Sequence, residues 1–199
     1  RMNVHLRRYF LKNGSDGWVL KCDIRHYFAE TPHTVAKAAI RKRLTDQDAA
    51  AYTDMIIDSF GGEVGIGLGS QVSQITELAV LDDLDHFIKE RLRIKHYIRY
   101  MDDFVLIHND KDVLQTALKE IKLRLAAIGL TLNQKTQVFP LKQGLLWLKW
   151  RFLLTDTGKV IRLICKQSVV RERRKLRRMA RLAKAGKIPI KSLTESFST

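Results

Sequence analysis

The stretch Tyr100-Met101-Asp102-Asp103 places two adjacent carboxylates between two apolar runs, the second of which is Phe104-Val105-Leu106-Ile107. Apolar runs on both sides of a tight turn predict a β-hairpin with the acidic pair at its tip. Adjacent acids repel each other, so stability alone does not account for them. A divalent cation would reverse that balance, because Mg²⁺ takes hard oxygen ligands, commonly one or two carboxylates plus substrate phosphates. For an isolated Asp-Asp pair, a solvated turn is the alternative.

A third acid, Asp23, follows a predicted strand at residues 17–22 (Gly-Trp-Val-Leu-Lys-Cys). Metal-assisted phosphoryl transfer needs carboxylates from separate elements that converge on ions about 3.5–4 Å apart. A strand-end aspartate that meets a hairpin-tip pair would build such a site. Taken alone, Asp23 would be interpreted as an N-cap or turn residue.

Five short motifs follow one another and span most of residues 17–152. They are Asp23 with Tyr27-Phe28, residues 65–74 (Gly-Ile-Gly-Leu-Gly-Ser-Gln-Val-Ser-Gln), Tyr100-Met101-Asp102-Asp103, residues 129–136 (Gly-Leu-Thr-Leu-Asn-Gln-Lys-Thr) and residues 146–150 (Leu-Trp-Leu-Lys-Trp). In this order they resemble the palm motifs of bacterial reverse transcriptases, which include a Tyr-x-Asp-Asp box. Each motif is weak by itself, but the ordered set is specific.

The resemblance implies an α+β fold: a polymerase palm with a small antiparallel sheet backed by helices, followed by a basic helical thumb segment. It assigns residues 1–154 to the palm, and residues 155–199 to a connecting strand and thumb-like helices. The fingers strands of the family would lie upstream of Arg1 and are missing. We therefore expect this fragment by itself to be weakly active or inactive.

The activity implied by the resemblance is RNA-directed DNA polymerisation, with dNTPs, template RNA, primer and cDNA as partners. Asp23 and Asp102 would share two Mg²⁺ ions, with Mn²⁺ as the alternative metal, and Asp103 would ligate less directly. One ion would lower the pKa of the primer 3′-hydroxyl, and the other would hold the triphosphate and the leaving pyrophosphate. Lys135 would protonate the pyrophosphate as a general acid, or else be an ordinary surface lysine.

The predicted nucleotide-binding residues are Ile24, His26, Tyr27, Phe28, Leu68 and Gly69. Phe28 matches the family's steric gate, an aromatic whose edge excludes a ribose 2′-hydroxyl, and hydrophobic packing is the alternative. In the 65–74 loop, Leu68 replaces the family's usual Gln, and Gln74 replaces its usual Pro. This pattern resembles reverse transcriptases of diversity-generating retroelements, which copy template adenines with errors, whereas group II intron enzymes typically keep Gln and Pro. Loss of an amide that hydrogen-bonds the substrate would weaken discrimination.

The charge of the chain fits a polyanionic partner. Lys and Arg number 36 against 21 Asp and Glu, for a formal charge of +15. Neutralisation of phosphates would supply affinity, although a basic surface also serves solubility. Residues 168–185 contain neither Gly nor Pro and predict a basic amphipathic helix, with a membrane-surface helix as a competing interpretation that lacks apolar aromatics. The predicted nucleic-acid contacts are Trp147, Lys149, Arg173, Arg174, Arg177, Arg178 and Arg181, with core packing as the alternative for Trp147.

Two cysteines are too few for a disulfide scaffold, and no run of 18 apolar residues suggests a membrane span. We therefore expect a cytoplasmic protein with no membrane partner. An accessory protein that docks on the basic helix is a further candidate partner. The main functional alternative is a non-catalytic nucleic-acid-binding scaffold that has kept the polymerase fold.

Hydrophobic spacing predicts the remaining elements. Helices are expected at 4–12, 34–44, 46–60, 73–92 and 111–128, and short strands at 138–139, 146–154 and 159–163. Thr45 is the expected cap of the 46–60 helix. The long 73–92 helix is expected to pack beneath the hairpin through the apolar residues that recur at helical spacing: Ile75, Leu78, Ala79, Leu81, Leu84, Phe87, Ile88 and Leu92.

Overall fold

The computed structural model describes residues 1–67 and 69–189. Its helices are α1 (Met2–Asn13), α2 (Tyr27–Glu30), α3 (His33–Arg41), α4 (Gln47–Asp58), α5 (Gln71–Val80), α6 (Asp82–His86), α7 (Lys111–Ala127) and α8 (Lys166–Lys184). A π-helical turn at Phe87–Arg91 follows α6, and a 3₁₀ turn lies at Leu141–Gln143. Its strands are β1 (Trp18–Asp23), β2 (His96–Tyr100), β3 (Asp103–His108), β4 (Gln137–Pro140), β5 (Leu145–Trp147), β6 (Trp150–Leu154) and β7 (Val160–Ile164).

The first sheet has four antiparallel strands in the order β2-β3-β1-β4. Its central pair, β1 and β3, runs from Trp18 opposite His108 to Asp23 opposite Asp103. The pair of β2 with β3 is the predicted hairpin. The α+β fold with a small antiparallel sheet backed by helices is therefore confirmed.

Both faces of this sheet are covered. Because side chains alternate along a strand, Leu20 and Phe104 point to one face, where they pack with Ile121 of α7. Val19 and Val105 point to the other face, where they pack with α1 and the second sheet. Burial on both faces explains why β3 is apolar over four consecutive residues rather than alternating.

The second sheet has three antiparallel strands in the order β5-β6-β7. The single strand expected at 146–154 is divided by a turn at Leu148 and Lys149, since Trp147 pairs with Trp150 across it. Both turn residues have positive φ, 48° for Leu148 and 67° for Lys149. The predicted boundary after residue 154 falls between β6 and β7, inside this sheet.

The helix expected at 73–92 is interrupted at Leu81, where φ is −91° and ψ is 3°. The expected burial is wrong for Ile75, which is 60% exposed, and for Leu78, which is 47% exposed, whereas Leu81, Leu84 and Ile88 are buried as expected. The buried side of α5 instead carries Ser73, Thr76 and Glu77. Apolar periodicity misassigned this face because its polar residues are buried.

The cap of α4 also differs from the prediction. Helix α4 begins one residue later than expected, and Asp46 rather than Thr45 is its N-cap. Asp46 Oδ1 accepts a hydrogen bond from the Ala49 N–H at 2.9 Å. Both residue types satisfy free N–H groups at a helix start, so the sequence did not discriminate between them.

Candidate active site

The acidic hairpin tip is a two-residue turn. Tyr100 pairs with Asp103, so Met101 and Asp102 occupy the turn. Met101 has φ of 55°, a left-handed conformation that is costly for a residue with a side chain. Arg99 Nη1 donates a hydrogen bond to the Met101 carbonyl at 3.2 Å and helps to hold this conformation.

Asp23 lies at the end of β1, directly opposite Asp103 of β3. Directly opposed residues of antiparallel strands point to the same face, with Cβ atoms about 4.5–5.5 Å apart. The Ile24 N–H donates to the Asp102 carbonyl at 3.2 Å and joins the turn to the end of β1. The structure therefore brings Asp23, Asp102 and Asp103 together from two separate elements.

The three acids form a partly buried negative cluster. Burial raises the pKa of the Asp103 carboxyl to about 6; the Lys21 ammonium opposes this shift, and the charges of Asp23 and Asp102 add to it. Burial also raises the pKa of Asp102, and the charge of Asp23 adds to that shift. Deprotonated acids in this position need a compensating cation.

Asp23 and Asp102 are the carboxylates of this cluster that would suit a metal ion. In the described ranges 1–67 and 69–189, no group of three or more His, Cys, Asp or Glu side chains converges on one metal position. Asp103 Oδ2 faces the Lys21 ammonium at 3.8 Å, whereas its Oδ1 is buried and accepts no hydrogen bond from the described residues. Asp23 and Asp102 remain as the two carboxylates, a number that suits Mg²⁺ when substrate phosphates complete its coordination.

Lys135 lies in a turn that is attached to Asp23. The Asn133 N–H donates to the Asp23 carbonyl at 2.7 Å, and the Asp23 N–H donates to Thr136 Oγ1 at 3.4 Å. Lys135 itself is exposed. The turn therefore holds an ammonium group beside the strand end that carries Asp23.

The predicted nucleotide-binding residues differ in how accessible they are. The side chains of Ile24 and Tyr27 are each 2% exposed, so only their main chains can reach a ligand, and the Ile24 N–H already bonds Asp102. His26 is exposed, with φ of 42°, and Phe28 is half-buried beside Tyr27. Gly69 has φ of 98°, which favours glycine, and Leu68 lies outside the described residues.

A groove of about 1070 Å³ lies between the first sheet, the second sheet and α8. Within the described chain its charged lining residues are all basic: Lys21, Lys135, Arg151, Lys166, Arg171 and Arg174. Its apolar lining consists of Phe139, Leu146, Leu163, Ile164 and Val170. Because Lys21 also contacts Asp103, the groove begins beside the acidic cluster.

The predicted nucleic-acid contacts are only partly placed at this groove. Arg174 lines it, and Arg177, Arg178 and Arg181 continue the same side of α8 at helical spacing. Arg173 is rotated by about 100° around the helix axis from Arg174, so it lies on the flank of this side of α8. Trp147 is 7% exposed and belongs to a hydrophobic core, so its ring is a packing residue, and Lys149 lies in the β5–β6 turn.

Three residues near the acids were missed by the motif comparison: Lys21, Arg99 and Glu77. Lys21 could have been found from strand alternation, since it lies two residues before Asp23 and therefore on the same face. Arg99 is a charged residue beside Ile98 and Tyr97 in a strand, which is a usable signal. Glu77 gave no signal, because its burial depends on how α5 packs.

Comparisons with known proteins agree with this geometry. Residues 2–168 match the family described as reverse transcriptase (RNA-dependent DNA polymerase). The chain belongs to the reverse transcriptase family. No curated protein sequence matches this reverse transcriptase chain.

The reverse transcriptase chain also resembles a solved structure, apo telomerase from Candida tropicalis truncated from its C-terminal domain. The two are 16% identical with a TM-score of 0.66, and the match covers 82% of this chain and 39% of the telomerase chain. This likeness shows a shared fold. In the described part of the reverse transcriptase chain, no helix is both long and apolar enough to span a membrane.

Proposed function

We propose that this reverse transcriptase is an RNA-directed DNA polymerase that adds dNTPs to a primer 3′-hydroxyl. The observation that carries the proposal is the convergence of Asp23, Asp102 and Asp103 beside Lys21, which lines a groove whose charged lining is basic. A basic groove suits the phosphates of a primer and template, and the adjacent carboxylates suit the metal ions that would act at the primer terminus. Its partners are then template RNA, primer, cDNA and dNTPs.

Each group has a separate task in this proposal. Asp23 and Asp102 hold Mg²⁺, or Mn²⁺ as the alternative. When bound, the two ions activate the 3′-hydroxyl and neutralise the pyrophosphate that leaves. The Lys21 ammonium, 3.8 Å from Asp103 Oδ2, would partly neutralise that carboxylate, which would ligate the metal less directly. Lys135, on the turn attached to Asp23, would donate a proton to the pyrophosphate as a general acid.

Primer extension on an RNA template tests the proposal. The full-length protein should extend the primer with dNTPs and Mg²⁺. Asp102→Asn should reduce the rate by at least about 10²–10³-fold, because a group that stabilises transition-state charge is lost. RNA binding by the same variant is the control and should be retained. A wild-type protein that binds template but never extends the primer would support the non-catalytic scaffold instead.

Phe28 is proposed as the gate against ribonucleotides. It follows Asp23 in the motif and lies half-buried at the start of α2. Phe28→Val should raise the efficiency of rNTP incorporation relative to dNTP by roughly 10-fold or more, since removing bulk relaxes exclusion of the 2′-hydroxyl. Single-nucleotide incorporation measures this ratio. Equal ratios in the variant and the wild type would assign Phe28 to packing.

We further propose that the enzyme is of the bacterial diversity-generating type. The Leu-Gly-x-x-x-Ser-Gln pattern at residues 68–74 supports this assignment. The cDNA should then carry errors concentrated at template adenines. Uniform fidelity across the four template bases would favour the group II intron-type alternative.

A further inference from the structure

The last turn of α5 accepts hydrogen bonds from two neighbouring elements. The main-chain carbonyls at a helix end have no partner within the helix. Because α5 ends at Val80, the Leu81 N–H bonds the Ala79 carbonyl instead of continuing the helix. Tyr27 Oη donates to the Glu77 carbonyl at 2.6 Å, and Arg99 Nη2 donates to the Leu78 carbonyl at 3.2 Å. The interruption at Leu81 thus supplies acceptors to two side chains.

These two donors come from the elements that carry the candidate active site. Tyr27 opens α2 and lies beside Phe28, with ring centroids 5.9 Å apart. Arg99 precedes the catalytic turn and also donates to the Met101 carbonyl at 3.2 Å. Asp85 pairs with the Arg99 guanidinium at 2.6 Å and fixes its orientation. Helix α2, which carries Phe28, and the Met101–Asp102 turn are therefore attached to two consecutive residues of α5, Glu77 and Leu78.

Glu77 makes a second attachment to α2 through its side chain. Its Oε2 lies 3.2 Å from Thr31 Oγ1, directly after the end of α2, and the same hydroxyl lies 2.7 Å from the Tyr27 carbonyl, so its one proton is shared between the two acceptors. Glu77 and Thr31 are both 0% exposed. Glu77 Oε1 is buried and has no hydrogen-bond partner among the described residues. Burying a carboxyl group costs free energy, so this position favours an apolar side chain unless the hydrogen bonds serve a purpose.

We propose that Glu77 is a positioning residue that holds α2, and with it Phe28, in register with the Met101–Asp102 turn. Its main-chain carbonyl binds the start of α2 through Tyr27, and its carboxyl binds the residue after α2 through Thr31. Two attachments at opposite ends of a short helix restrict its rotation as well as its distance. The inference rests on the proposed function only where it concerns the selection of dNTPs over rNTPs.

Hydrogen exchange tests the attachment without any polymerase activity. Glu77→Leu and Thr31→Val should each increase exchange at the amides of residues 27–31 by about 10-fold, the loss expected for one buried hydrogen bond. Glu77→Gln keeps an acceptor for Thr31 and should leave exchange unchanged. Thr76→Val is the matched control, because Thr76 is equally buried on the same helix and its hydroxyl has no partner in the described structure.

Nucleotide selection tests the consequence. Glu77→Leu and Thr31→Val should lower the ratio of kcat/KM for dNTP over rNTP by roughly 10-fold, a typical loss when a selective contact shifts. Glu77→Gln and Thr76→Val should retain the wild-type ratio. If Glu77→Leu fails to fold, Glu77→Met decides the outcome, because Thr31→Val also removes the hydrogen bond from Thr31 Oγ1 to the Tyr27 carbonyl at 2.7 Å.

The outcomes separate the two proposals. Unchanged hydrogen exchange at residues 27–31, both in Thr31→Val and in any folded Glu77→Leu, would overturn the positioning role. Faster hydrogen exchange with an unchanged kcat/KM ratio of dNTP over rNTP would overturn it as well. A wild-type protein that never copies RNA would overturn the proposed function alone. The exchange measurement would then still decide whether Glu77 holds α2.

Discussion

The buried carboxyl group of Glu77 makes the free energy of unfolding depend on pH, because its pKa differs between the folded and unfolded chains. Burial raises its pKa from the ordinary value of 4.5 to about 7, while the neighbouring hydroxyls of Tyr27 and Thr31 oppose the shift. The folded chain therefore binds this proton more tightly than the unfolded chain. The stabilisation is complete below about pH 4.5 and is lost as pH rises through about 7.

Glu77→Gln should remove this pH dependence. We expect the free energy of unfolding of the wild type, relative to that of the variant, to fall by on the order of 3 kcal/mol between pH 4.5 and 7.5. Urea unfolding at several pH values measures the difference. Asp103, whose pKa is also raised, is present in both proteins and cancels. Parallel pH profiles would show that the Glu77 carboxyl titrates normally.

At the scale of residues, the sequence was informative where chemistry demands a particular side chain at a fixed spacing. Asp23 and the Asp102-Asp103 pair were identifiable because a strand end and a hairpin tip are local patterns. The contacts of Lys21, Arg99 and Glu77 depend on strand register or on helix packing. These contacts arise between segments distant in sequence, so local patterns do not specify them.

The β5–β6 turn is an element whose sequence and backbone disagree. Two-residue turns with positive φ at both positions favour Asn-Gly, yet Leu148 and Lys149 occupy them. Lys149→Gly should stabilise the chain by about 1 kcal/mol, because the left-handed conformation no longer strains a side chain. Thermal or urea unfolding measures the gain.

Lys159→Gly provides the control for the turn. Lys159 is also an exposed lysine in a connection of the second sheet, directly before β7, but it is absent from the described residues with positive φ. Glycine there should destabilise by roughly 0.5–1 kcal/mol. Equal effects of the two substitutions would show that backbone strain at Lys149 is negligible.

The α5 region shows why an element can be predicted while its orientation is not. Apolar spacing correctly indicated helix in this region but assigned the wrong side of it to the core. Ser73, Thr76 and Glu77 are buried against other elements, and Ile75 and Leu78 are exposed. Hydrophobic periodicity assumes that polar residues face water, and a buried polar network violates that assumption.

At the scale of the whole molecule, the position of α8 beside the groove predicts how binding responds to charge. Arg174→Gln and Arg178→Gln should each weaken RNA binding and reduce the slope of log K against log salt by about 0.7–0.9, because each removes one phosphate contact. Arg173→Gln, on the flank of the same helix, should have a smaller effect. Binding titrations at several salt concentrations measure the slopes, and equal losses at all three positions would indicate a diffuse charge effect.

The same helix has a consequence for the protein without its nucleic acid. No residue of α8 is fully buried, so little tertiary packing supports it. Arginines recur four residues apart, as at Arg173 with Arg177 and Arg174 with Arg178, and like charges at this spacing destabilise a helix. Added salt screens this repulsion and should raise the helical circular dichroism signal of the free protein. The same salt should lower the affinity of the protein for RNA. If α8 binds RNA as proposed, ionic strength should act in opposite directions on the folding and the binding of this segment, and the bound RNA should stabilise the helix as a multivalent counterion.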